Sequence, residues 1–131
     1  MGTALLHIRL ILAGLALGCS PAAHAAPSDV NVQGFYTSAV ALQNKGMAAM
    51  FDKRTRPLMA QMKDAGTRAR AENLAAKAAG SPLYCVPEGS KKGMGAQQVI
   101  AMLGRLPESE RRSATLVEAW KKALTREYPC P

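Results

Sequence analysis

The chain has 131 residues, 17 Lys and Arg against 9 Asp and Glu, and a net charge of +8. That length holds one domain. Its two histidines, His7 and His24, both fall within the first 25 residues, so the remainder excludes Ser-His and Cys-His nucleophilic catalysis, imidazole acid–base chemistry and His-ligated metal sites. Residues 1–25 read as a secretory signal peptide. Arg9 is their only charged side chain, and the apolar run Leu10–Leu17 is long enough for a signal core but too short to span a bilayer. Ala23-His24-Ala25 then supplies the small-x-small pattern of a cleavage site. An N-terminal core helix is the structural alternative. A degraded lipobox, Ala16-Leu17-Gly18-Cys19, offers a lipid anchor at Cys19 as the other alternative. No second apolar segment is long enough to cross a membrane, so the expected product is a periplasmic domain of residues 26–131.

Loss of Arg9 with the signal takes the charge from +8 to +7. Cys19 leaves in the same step, and Cys85 and Cys130 remain as a pair in an oxidising compartment. A bridge between them contributes roughly 4 kcal/mol in the chain-entropy model. Two reactive thiols are the alternative, without a histidine to activate them. There is no CxxC or CxxCH, so no thioredoxin-like site and no attached haem are expected, and no cofactor is implied.

Along residues 26–131, Ser28 and Asp29 are available as helix N-caps. A first helix is predicted from about 31 to 44, carrying Phe35, Val40 and Leu42, with Gly46 as a break and a further turn at Met47–Phe51. The segment from about Thr55 to Ala79 is rich in Ala, Met, Lys and Arg and has high helix propensity, and Gly80-Ser81-Pro82 ends it. Leu58, Met62, Ala65, Ala69 and Ala76 share a narrow arc at helical spacing. Arg56, Lys63, Arg70 and Lys77 recur every seven residues and form a basic ridge beside that arc. The ridge is either a solvated face or a surface that steers an acidic partner. Without aromatic side chains to stack on bases, it does not point to nucleic acid.

Residues 83–93 have the Pro, Gly and Lys content of an exposed loop, with Lys91 and Lys92 at the tip and Met94 beside them as candidates for entering an acidic or apolar groove; an ordinary solvated loop is the alternative. A helix from about Met94 to Leu106 places Val99, Ile100, Leu103 and Leu106 together. Pro107-Glu108-Ser109-Glu110 starts another element with acids at the favourable end of the helix dipole. The last helix, about Ser113 to Glu127, sets Leu116, Val117, Trp120, Leu124 and Tyr128 on one arc, with Trp120 as core rather than site. The expected fold is all-α: a small bundle of four to five helices closed by one disulfide.

The segment Tyr84-Cys85-Val86-Pro87-Glu88-Gly89, an amphipathic helix, Pro107, then Leu116-Val117, Ala119, Ala123-Leu124 and the closing Tyr128-Pro129-Cys130 resemble the Rap/Tai family over residues 84–130. These are the immunity proteins of type VI secretion amidase effectors. The resemblance implies a small all-α periplasmic protein, often a homodimer, that binds a peptidoglycan amidase and blocks its active site. Many members carry a further cysteine pair in the N-terminal half; here residues 26–83 contain no cysteine.

The second functional class is a periplasmic envelope-stress or chaperone-like binder, since the chain holds seven methionines, whose flexible thioethers suit promiscuous contacts. An enzyme is the weakest reading. Glu108 and Glu110 lie two apart and do not face one another on a helix.

Overall fold

The computed structural model describes residues 24–90 and 93–131. The first 23 residues of the expected 1–25 signal, Cys19 among them, and Lys91 and Lys92 at the loop tip lie outside the described residues. The described chain forms five α-helices: α1 (Val32–Asn44), α2 (Thr55–Ala78), α3 (Ala96–Gly104), α4 (Glu108–Ser113) and α5 (Leu116–Glu127). Short 3₁₀ turns occupy Pro27–Asp29, Gly46–Phe51 and Glu88–Ser90. No strand is present among the described residues. The architecture is the expected all-α bundle, and Cys85 and Cys130 are joined, with their Cα atoms 4.9 Å apart.

Local chemistry explains most helix ends. Asn31, rather than Ser28 or Asp29, caps α1: its side-chain oxygen accepts from the backbone N–H groups of Gln33 (3.0 Å) and Gly34 (3.3 Å). Its amide nitrogen donates to the Arg112 carbonyl at 2.8 Å, so one residue caps a helix and holds a distant turn. Around it, Val32 N–H donates to Ala114 O and Leu116 N–H to Val30 O, a lone antiparallel bridge between the entrances of α1 and α5. Gly46 takes φ 56°, a left-handed turn that stops α1. At the end of α2, Gly80 (φ 84°) donates to Lys77 O and Ser81 to Ala76 O, the paired bonds of a Schellman cap. The separate element expected from Pro107 is α4, and the last helix starts three residues later than the expected Ser113. Thr115 and Glu118 form a capping box, and α5 starts at Leu116 while 108–113 turns as α4. The helix expected over 94–106 is shorter, and Leu106 is buried just beyond its end.

α5 is the centre of the core. Leu116, Val117, Ala119, Trp120, Ala123 and Leu124 are all buried, and the helix packs on α2, α3 and α1. Its neighbours supply Val32 and Phe35 from α1, Ala65 and Ala69 from α2, and Val99, Met102 and Leu103 from α3. The two alanines are small enough for α2 to lie close against the bundle. Gly104 serves the same end between α3 and α1: a Cβ there would stand 2.9 Å from the Tyr36 hydroxyl. Above that contact the Arg111 guanidinium lies 4.6 Å over the Tyr36 ring, while its Nε donates to Gln33 Oε1.

Ser28 is fully buried, for a reason unconnected with capping. Its hydroxyl donates to Asp64 Oδ2 at 2.5 Å and its backbone N–H donates to the same oxygen at 3.0 Å. Arg68 donates to Ser28 Oγ and pairs with Asp29 at 2.7 Å. The Ser28 hydroxyl holds the Asp64 carboxyl below its ordinary value, and the hydrogen bond from Arg68 does the same for Asp29. This clamp fastens the N-terminal turn to α2.

Candidate interaction surfaces

The base of the 83–95 loop is braced from three sides. From α2, the Asn73 side chain accepts from the Leu83 (2.7 Å) and Tyr84 (3.2 Å) N–H groups and donates to the Tyr84 carbonyl (3.0 Å). From α5, Thr125 Oγ1 donates to Leu83 O at 3.2 Å. From the C-terminus, Tyr128 O accepts from Cys85 N–H at 2.8 Å, beside the disulfide. Tyr84 is buried, which pushes its phenol up, while Leu83 and Val86 on either side of it are exposed. Two apolar side chains are therefore presented on a backbone held on several sides. Met94 does not share their exposure: it is half-buried and packs against the core, so its side chain is occupied by the fold. Asn73 was not singled out from the sequence. Its signal is a weak helix former deep in an Ala- and Arg-rich helix, where a side-chain partner elsewhere is the usual reason.

The second surface is the outward face of α2. Arg56, Lys63, Arg70 and Lys77 are all exposed along it. None of the four forms an ion pair among the described residues, although seven of the nine acidic residues do. The acids are engaged elsewhere: Asp52 with Arg54 and Lys45, Glu72 with Lys121, Glu110 with Lys122 and Arg126, and Glu127 with Arg105. Arg54 and then Lys45, hydrogen-bonded to Asp52, hold its carboxyl far below the usual range. The ridge is thus a line of four cations without an ion-pair partner among the described residues.

The ridge is also not purely basic. Positions 56, 59, 63, 67, 70, 74 and 77 advance by three or four residues, so they form one stripe. Met59, Thr67 and Leu74 alternate with the cations on it, and Met59 is 67% exposed. At the N-terminal end the 46–51 turn adds Phe51, 91% exposed, with Met47 (80%) and Met50 (70%). Beside Phe51 lies a broad depression of about 710 Å³, open to solvent over most of its rim. Met59 and Leu74 lie off the predicted apolar arc of Leu58, Met62, Ala65, Ala69 and Ala76, in keeping with their exposure.

No family model, curated protein or solved structure matches the chain.

The remaining features are modest. A hollow of about 290 Å³ between α4 and α5 is bordered by Glu110 and Glu118, but both carboxylates are engaged, the first by Lys122 and Arg126 and the second by Thr115. Among the described residues no group of three or more His, Cys, Asp or Glu is placed to hold a metal ion. Among them, too, no helix is long and apolar enough to cross a membrane.

Proposed function

We propose that the protein is a periplasmic inhibitor-type binding protein of the amidase-immunity kind, one that blocks a peptidoglycan amidase effector of type VI secretion. The observation that carries this reading is the braced loop at 83–86. The residues behind the Rap/Tai resemblance, Tyr84-Cys85 and Tyr128-Pro129-Cys130, lie together at its base through the disulfide and the Cys85 N–H to Tyr128 O bond. A segment already held in place loses little conformational entropy when it enters a cleft, and exposed Leu83 and Val86 supply apolar contact there. On this reading the loop, with Lys91 and Lys92 beyond it, enters the enzyme, and the signal peptide delivers the protein to the periplasm.

The test combines recovery and inhibition. The oxidised protein, used as bait against periplasmic and secreted proteins of its own strain and close relatives, is expected to retain one stoichiometric cell-wall amidase and to abolish its activity. Val86→Asp and Leu83→Asp are expected to keep the melting temperature and to weaken inhibition at least tenfold, since each places a charge in an apolar contact. An amidase fully inhibited by both variants would remove the loop from the mechanism.

One observation favours a second reading, an envelope-stress binder: Met47, Met50 and Met59 are exposed together with Phe51. Suppression of aggregation of a denatured client, with no amidase recovered, would put this reading first.

A further inference from the structure

We propose that the outward face of α2, together with the 46–51 turn, docks the protein onto an anionic phospholipid bilayer. This goes beyond the inhibitor reading and uses a different surface.

Charge makes the first argument. Arg56, Lys63, Arg70 and Lys77 run along one side of a single helix over about 32 Å, at a rise of about 1.5 Å per residue. No acidic residue stands in the stripe. A second copy of this chain would bring the same cations against themselves, so the face repels its own like and calls for a negative surface. Extent makes the second argument. The stripe follows the exposed face of one 24-residue helix, a single long line of contact that suits an extended surface.

The apolar residues decide which negative surface. Met59 and Leu74 sit between the cations, and Phe51 projects from the turn at one end with 91% of its surface exposed. Nothing on the stripe but Thr67 offers a neutral hydrogen-bonding group of fixed geometry, the kind that gives a protein interface its register. Charge with interspersed apolar side chains is enough for adsorption at a lipid headgroup layer, where cations meet phosphates and Phe, Met and Leu enter the acyl boundary.

The experiment is sedimentation of the purified protein with vesicles of phosphatidylglycerol and phosphatidylcholine in equal parts, and with vesicles of phosphatidylcholine alone. The protein is expected to sediment with the anionic vesicles only, and less at high salt. Arg56→Gln, Lys63→Gln and Arg70→Gln are each expected to weaken partitioning about fivefold without moving the melting temperature. Phe51→Trp is expected to shift its emission to the blue on anionic vesicles, whereas Trp120, already in the core, does not respond. Equal sedimentation with both vesicles, sedimentation with neither, or full binding by the triple Gln variant would overturn the proposal. So would binding of poly-glutamate without vesicle binding, which assigns the face to acidic proteins instead. Amidase inhibition by the Gln variants is expected to be unchanged, so this proposal and the inhibitor reading fail separately.

Discussion

α5 and α2 are both basic amphipathic helices, and the fold uses them in opposite ways. α5 has 12 residues, of which six are buried, and Lys121, Lys122 and Arg126 on its rim each find a carboxylate. α2 is twice as long, with 24 residues, yet buries only Ala65 and Ala69 fully and leaves four cations unopposed. Helix length therefore says little about a helix's share of the core. What counts is how much apolar side chain its inward arc carries, and the α2 arc is mostly alanine, with Leu58 and Met62 half-buried. An alanine contributes close approach rather than area. α2 acts as a rod laid against the bundle, with a second face left for contact.

The sharpest way to break this contrast is to truncate both helices. Trp120→Ala in α5 is expected to cost about 3–5 kcal/mol in thermal or urea unfolding. Leu74→Ala on the outward side of α2 is expected to stay within about 0.5 kcal/mol of wild type. A large loss at Leu74 would mean that the outward face is structural. The disulfide comes next: Cys85→Ser with Cys130→Ser is expected to lower stability by about 4 kcal/mol, read from the urea midpoint. The same pair should also weaken inhibition beyond what the stability loss explains if the loop needs its brace.

The smallest effect concerns the clamp between the N-terminal turn and α2. Ser28→Ala removes the hydroxyl that donates to Asp64 and is expected to cost about 1–2 kcal/mol at neutral pH. Because Asp64 and Asp29 are held below their ordinary values in the folded state, their contribution is complete above the unfolded carboxylate pKa of about 3.9 and is lost as pH falls through the lower folded values. The gap between wild type and Ser28→Ala should therefore narrow between pH 5 and pH 2 in roughly that window. A gap independent of pH would mean that Ser28 acts only by filling space.

Much of this molecule was legible in advance, and the divisions are physical. The Gly46 break, the Gly80-Ser81-Pro82 stop and the apolar arc of α5 depend on residues within a few positions of one another, and each is found as expected. Ser28 holds Asp64 instead of capping a helix, because its partner is 36 residues away and a serine before a helix has the same local pattern in both roles. Met94 looked like part of an exposed tip because its loop is polar, yet its side chain turns back to the core. Of the second surface, the four cations were visible at seven-residue spacing, while Met59, Leu74 and Phe51 were not recognised as its companions.

By itself, then, the sequence determined the helical class, the main helix breaks and stops, the single cysteine pair and the direction in which α5 faces, since these follow from backbone preference and from spacing along one chain. Only the tertiary structure decided which cations meet an acid. Glu72 and Lys121 are 49 residues apart and Arg105 and Glu127 are 22 apart, so no local pattern relates them. Seven of the nine acids are committed to ion pairs, four of them (Asp29, Glu72, Glu110 and Glu127) with partners 12 or more residues away, and none pairs with the four ridge cations on α2, so that charge balance becomes visible only after the chain has closed on itself.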